Sequence, residues 1–228
     1  MVKYKYLLFD ADNTLLDFNA SEENSIKKVL ARYNIDTKYH STFSQINNSL
    51  WKDLEKGLVS RKDLRRIRFE RLLKAVSRDD LDPSQLDTEY FNEIALQANP
   101  YEDSYQTLEK CTQMGYKCYI VTNGSTKTQK SRLEISRLSK FIEASFIFEE
   151  IGLAKPNKSF FDYVLNDIGA EGKQCLIIGD SLTSDILGGI NSGIDTCLLI
   201  RQGAIDTSSI TPTYTIYKLS ELISLLGE

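Results

Sequence analysis

The sequence predicts an α/β fold, a Rossmann-like parallel sheet core with an inserted all-helical cap domain, and three observations carry that reading. Short, continuously apolar runs recur and end in turn residues, the pattern of strands buried on both faces. Amphipathic helical stretches separate the later runs, which reads as right-handed βαβ units around a parallel sheet. Between the first run and the second lies a long interval with no convincing strand.

The first strand is expected at Tyr4–Phe9. From about Asn19 to Asn99 there follow helix-like stretches at roughly Ala20–Tyr33, Thr42–Gly57, Arg61–Ser77 and Pro83–Gln97. Asp82-Pro83 supplies a helix start with proline at the first helical position. The alternating rhythm then resumes: helix Ser104–Met114, strand Lys117–Val121, helix Lys127–Leu138, strand Ser145–Phe148, helix Ser159–Ile168, strand Cys175–Ile178, helix Ser184–Ser192, strand Thr196–Ile200 and a weaker strand Thr213–Tyr217. The expected division is a Rossmann-like core of residues 1–16 and 100–228 and a helical cap of residues 17–99.

The 228 residues are 41% hydrophobic, ordinary for a globular chain with a sizeable core. The formal charge of -4 provides no global basic field and speaks against a nucleic acid polymer as partner. No apolar run is long enough for a signal peptide or a membrane span. Cys111, Cys118, Cys175 and Cys197 form no CxxC pair and read as reduced thiols, so a cytoplasmic protein without a membrane partner is expected. The single histidine, His40, has no acidic or hydroxyl pattern around it, which disfavours Ser-His-Asp or His-rich zinc chemistry.

Four polar clusters stand at predicted strand ends, on the edge where an open α/β sheet forms its ligand crevice. The first strand runs into Asp10-Ala11-Asp12-Asn13-Thr14. Alternation along an extended chain points the Asp10 and Asp12 carboxylates to one side, where they repel unless a cation or proton lies between them. A nucleophile and a proton carrier would use such a pair; an Asx-rich turn would also account for it. The second strand ends in Thr122-Asn123-Gly124-Ser125 before a helix, either an anion-binding corner of hydroxyl, amide and backbone N–H groups or a plain N-cap. Lys155 precedes Pro156, which holds it out of the α region and can open the next helix. Its ammonium could meet a phosphoryl oxygen as a point charge or lie solvated. The strand at Cys175–Ile178 ends in Gly179-Asp180, with Asp185 in the following helix start. Hard carboxylate oxygens suit magnesium and also manganese; helix capping by Asp180 is the ordinary alternative. Each cluster has a bland explanation. The ordered set, each member after a strand and all on one sheet edge, would need four unrelated coincidences.

The set resembles the motifs of the haloacid dehalogenase-like (HAD) superfamily of hydrolases: DxDxT at Asp10–Thr14, then Thr122, then Lys155, then GDxxxxD at Gly179–Asp185. The likeness covers Met1–Leu16 and about Pro100–Glu228, and the position of the helical insert is similar to the superfamily's helical cap class. Asn13 stands where many relatives carry Gly, Asp or Glu. The opening DADNTLLDF, the pair Arg68-Phe69 and the run VTNGSTKTQKSRL resemble the helical-capped bacterial pyrimidine 5'-nucleotidases.

This resemblance implies a magnesium-dependent phosphatase for a small phosphorylated metabolite, a nucleoside 5'-monophosphate foremost, working as a monomer or weak homo-oligomer. A phosphoglycolate or sugar phosphatase, or a phosphomutase of the same superfamily, is the alternative. Asp10, Asp12 and Lys155 are the implied catalytic residues. Asp10 attacks phosphorus to form an aspartyl-phosphate, and Asp12 protonates the leaving oxygen and then deprotonates water. Thr122, Asn123 and Lys155 bind the phosphoryl group. Asp10, the Asp12 backbone carbonyl, Asp180 and Asp185 hold the ion, the last directly or through water. An acid at position 12 resembles the phosphatase and mutase branches, since dehalogenase relatives lack it.

Within the cap, Arg61–Arg71 is the most basic stretch. Leu64, Ile67, Arg68 and Arg71 share one helical face by spacing. Arg68 is the expected substrate contact, against the alternative of a solvated face paired with acids, and Trp51, Tyr90 and Phe91 are expected in the cap's own core.

Overall fold

The computed structural model describes residues 4–227. The chain divides into two compact units, one built from the segments up to Asp17 and from Ala98 onward, the other from Phe18–Gln97. In chain order, β1 (Tyr6–Phe9) opens the larger unit, and the smaller one holds α1 (Phe18–Arg32), α2 (His40–Glu55), α3 (Arg61–Ala75) and α4 (Pro83–Ala95). The larger unit continues with α5 (Ser104–Gln113), β2 (Lys117–Thr122), α6 (Thr126–Ile135), β3 (Ile142–Ile147), α7 (Phe148–Ile151), α8 (Lys158–Ile168) and β4 (Cys175–Gly179). A π-helical turn at Leu182–Ile186 runs into α9 (Leu187–Asn191), followed by β5 (Asp195–Leu199), β6 (Tyr214–Ile216) and α10 (Leu222–Gly227).

The sheet has six strands in the order β3-β2-β1-β4-β5-β6, and every neighbouring pair is parallel. β1 is therefore interior, which is why its sequence is apolar without alternation. Leu7 and Phe9 point into one core layer with Ile120, Leu176, Ile178 and Leu199, covered by Leu108, Leu133 and Leu222 of the helices. Leu8 points the other way, into a layer with Val121, Ile177, Phe160, Phe161 and Val164. The strand order reverses between β1 and β4, and the crevice outside the carboxyl ends of these two strands is where such sheets bind ligands.

The differences from the sequence reading have local causes. Tyr4 is buried, but its hydroxyl donates to Asp195 Oδ2 at 2.6 Å and the strand begins only at Tyr6. β3 starts at Ile142, earlier than Ser145, because it is an edge strand whose first half is only partly buried and so lacks a continuous apolar run. Pro156 does not open α8: Asn157 is the N-cap and the helix begins at Lys158. The helix expected at Ser184–Ser192 is split by the wide turn that carries Asp185.

In the smaller unit the helices close on Ile26, Val29, Leu30, Phe43, Phe69, Leu72, Leu86, Tyr90 and Ile94. Ser60 caps α3 by accepting from the Asp63 N–H at 3.1 Å. Asp82 caps α4 by accepting from the Ser84 N–H at 2.9 Å. A polar network joins all four helices. Glu22 accepts from Ser44 Oγ at 2.6 Å and from Asn47 Nδ2 at 2.5 Å. Arg68 Nη1 lies 3.4 Å from Asn47 Oδ1, and its Nε donates to Asp87 Oδ1 at 3.1 Å. Among the described residues no helix is long and apolar enough to cross a membrane, and the four cysteines are free thiols and buried.

Candidate active site

The acidic groups and Lys155 singled out by sequence cluster where β1 and β4 end. β1 stops at Phe9, and the Asp10 N–H still donates to Ile178 O of β4 at 2.9 Å, so the Asp10 backbone is set by the ladder. The chain then turns: the Leu15 and Leu16 N–H groups donate to Ala11 O at 3.0 and 2.9 Å, and Asn13 N–H donates to Leu16 O at 2.7 Å. Asn13 has φ 57, a left-handed conformation that asparagine tolerates better than most residues. That accounts for a small or short polar residue at this position.

Three carboxylates converge. One ligand oxygen from each of Asp10, Asp180 and Asp185 lies within 4.8 Å of the others. Gly179 makes this possible. A Cβ there would stand 2.1 Å from Asp185 Oδ2, so the bare backbone accommodates that side chain rather than a ligand. Asp185 Oδ2 also accepts from the Ser181 N–H at 3.1 Å.

Lys155 joins the cluster at 3% exposure. Its Nζ donates to Asp10 Oδ1 at 2.7 Å, to Asp185 Oδ1 at 2.6 Å and to Val121 O at 2.7 Å, which engages all three of its protons. The solvated alternative for this lysine is thereby excluded. Its backbone is fixed by Asn123, whose Nδ2 donates to Lys155 O at 2.9 Å and whose Oδ1 accepts from Lys155 N–H at 2.9 Å. The Asn123 side chain, expected at the phosphate, is seen bonding the Lys155 backbone. Thr122 is buried at the end of β2. Its hydroxyl accepts from Gly124 N–H at 3.1 Å and from Gln129 Nε2 at 3.2 Å; both bonds use lone pairs, leaving its own proton to donate.

Burial pushes the Asp10 carboxyl up to about 7, with Lys155 opposing and Asp185 and Asp12 adding to the rise. Asp180 is likewise raised well above the usual carboxylate range, by burial first and then by Asp10 and Asp185. Against the pull of burial, Asp10 and Asp185 hold the Lys155 ammonium charged.

Asp12 stands apart from the triad of acids. Its Oδ2 accepts from Gln129 Nε2 at 2.5 Å, and its Oδ1 pairs with Arg132 Nη1. Neither α6 residue was singled out by sequence, although Gln129 and Arg132 lie three apart on one helix face, a spacing that could have signalled a shared target. In formal charge the cluster sets four acids against Lys155 and Arg132, the complement of a dication. With hard oxygen donors this fits magnesium or manganese.

Arg68 corrects the expectation for the smaller unit. It is 2% exposed, pairs with Asp87 and stacks 4.6 Å from the Tyr90 ring centroid. Its guanidinium faces the unit's interior, whereas Arg71, assigned by spacing to the same face, is exposed. The acid that would have balanced a solvated arginine is present but buried with it.

A family model described as haloacid dehalogenase-like hydrolase matches residues 4–193. The pyrimidine 5'-nucleotidase PynA of Streptococcus pneumoniae is 34% identical over 228 residues, covering 99% of this chain and 96% of that protein. The pyrimidine 5'-nucleotidase YjjG of Escherichia coli is 32% identical over 228 residues, covering 99% of both. Among solved structures, the magnesium-bound HAD-hydrolase YfnB of Bacillus subtilis superposes with a TM-score of 0.93 at 34% identity, over 99% of this chain and 100% of that one.

Proposed function

Because this chain belongs to the haloacid dehalogenase-like hydrolase family, we propose that it is a phosphatase that hydrolyses small phosphate monoesters, nucleoside 5'-monophosphates foremost, through an aspartyl-phosphate on Asp10. The observation that carries the reading is the Asp10 carboxylate, buried beside Asp180 and Asp185 and gripped by Lys155. Such a group is poised as a nucleophile toward an electrophile that brings its own negative charge.

Magnesium would be held by Asp10, the Asp12 backbone carbonyl and Asp180, with Asp185 binding directly or through water, and manganese fits the same donors. When bound, the ion screens the repulsion between Asp10 and the incoming dianion. The remaining work falls to side chains. Asp10 attacks phosphorus and divides one hard displacement into two. Asp12 gives a proton to the departing oxygen and takes one from the water that cleaves the intermediate. The Thr122 hydroxyl donates its remaining proton to a phosphoryl oxygen, and the Lys155 charge offsets the negative charge that develops there. Asp180 and Asp185 complete the acidic cradle.

The nucleotidase reading is supported by two relatives of that name that match the chain end to end. A phosphate-release screen over nucleoside monophosphates, sugar phosphates and phosphoglycolate with magnesium tests it. A preference for pyrimidine monophosphates is the expected result. Equal rates on every ester would reduce the proposal to a general phosphatase, and no phosphate from any ester would remove it.

A further inference from the structure

Arg132 is the bulkiest fully buried side chain among the described residues. A guanidinium without water is costly unless its bonds are used. One of those bonds reaches Asp12 Oδ1. Gln129 is 1% exposed, and its Nε2 reaches both Asp12 Oδ2 at 2.5 Å and Thr122 Oγ1 at 3.2 Å. A Cβ on Gly124 would lie 2.3 Å from that Nε2, so the loop after β2 is bare where the amide passes. Each carboxylate oxygen of Asp12 thus takes one donor from α6, which fixes both the tilt and the rotation of the carboxyl plane. The Asp12 side chain itself keeps 27% exposure, so water could have solvated it without a buried arginine.

We infer that Gln129 and Arg132 are positioning residues for Asp12, setting the direction in which it meets the reacting oxygen; the inference rests on the phosphatase reading above. In the first half-reaction the Asp10 O–P bond forms as the ester P–O bond breaks, and the leaving oxygen takes the Asp12 proton with the released electron pair. In the second, a water oxygen bonds to phosphorus as the Asp10–P bond breaks, and Asp12 recovers a proton from that water. Asp12 ends as it began, and the α6 pair orients it for both transfers.

A leaving-group comparison tests this, because a displaced arginine should hurt most where the departing oxygen needs a proton. The probes are a nucleoside 5'-monophosphate, whose alkoxide leaves poorly, and an activated aryl phosphate, whose phenolate leaves without protonation. Wild-type enzyme must release phosphate from both; if it releases none, the phosphatase reading has failed, which is a separate result. For Arg132→Met we expect kcat/KM on the alkyl ester to fall on the order of 10²-fold and that on the aryl ester by less than about threefold. Asp12→Asn should show the same split, and adding Arg132→Met to Asp12→Asn should cost less than about threefold more. Should Arg132→Met not fold, Gln129→Ala carries the test, with a loss of about tenfold on the alkyl ester and a clearly smaller one on the aryl ester, since its amide also bonds Thr122. Equal fractional losses on the two esters, or the full arginine effect persisting without Asp12, overturn the assignment.

Discussion

The side-chain amide of Asn123 grips the Lys155 backbone at both ends, donating to its carbonyl and accepting from its N–H, each at 2.9 Å. The pairing ties the end of β2 to the segment that delivers the Lys155 ammonium. Each neutral bond is worth about 1 kcal/mol net. Asn123→Ala should therefore lower stability by about 2 kcal/mol in urea unfolding and reduce kcat by loosening Lys155. A wild-type midpoint and wild-type kcat in that variant would contradict the assignment.

The acidic cluster makes metal-free stability fall with rising pH. Asp10 in the fold titrates near about 7, against a usual value of 3.8, so the folded protein holds a proton that the unfolded chain has released. The stability contribution is full below the unfolded value and is lost as pH climbs through the folded one. Asp180 shifts in the same direction. Magnesium competes with these protons, so its binding below pH 7 should release them, and as pH drops its affinity should fall by up to about tenfold per pH unit per proton displaced. Calorimetry in two buffers of different ionisation enthalpy checks this. Equal heats, with an affinity that does not change between about pH 5.5 and about 7.5, would rule it out.

What the sequence reveals of this arrangement follows from how each residue is positioned. Asp10, Thr122 and Asp180 directly follow or end buried strands, so an apolar run ending in a polar residue marks them. Gln129 and Arg132 sit on a helix, where a polar residue ordinarily reads as solvated, and only tertiary structure reveals that Arg132 has no exposure at all. Asn123 is equally plausible as a cap or an anion donor until its partner, 32 residues further on, is seen. Arg68 misleads for the same reason: its neighbours Asn47 and Asp87 lie 21 and 19 residues away, on other helices. Spacing along one helix cannot report whether a basic face meets water or acids.

Gly179 gives a separate test of the cradle. β4 is held between β1 and β5, so a methyl at this position cannot be relieved by moving the strand. With its Cβ 2.1 Å from Asp185 Oδ2, Gly179→Ala must displace that carboxylate from the Ser181 N–H and from Lys155. Overpacking of this kind costs about 1–3 kcal/mol. Magnesium affinity, followed by titration calorimetry, should weaken together with the unfolding midpoint. Retention of both would show that Asp185 has room the structure does not reveal.

Arg68 separates a structural arginine from one that reads substrate. Its side chain is 3% exposed beside Asp87 at 8%, and the fork also reaches Asn47, which in turn holds Glu22. Arg68→Met leaves Asp87 with only Arg65, itself half-exposed, and breaks the link between α2 and α4. Removing one partner of a buried ion pair costs about 3–5 kcal/mol, so the unfolding midpoint should drop steeply. Arg68→Lys should recover only part of this, because an ammonium cannot reproduce the planar fork. Activity per folded molecule should stay within about twofold of wild type under conditions where the variant is folded. A KM raised about tenfold with an unchanged unfolding midpoint would instead return Arg68 to the substrate.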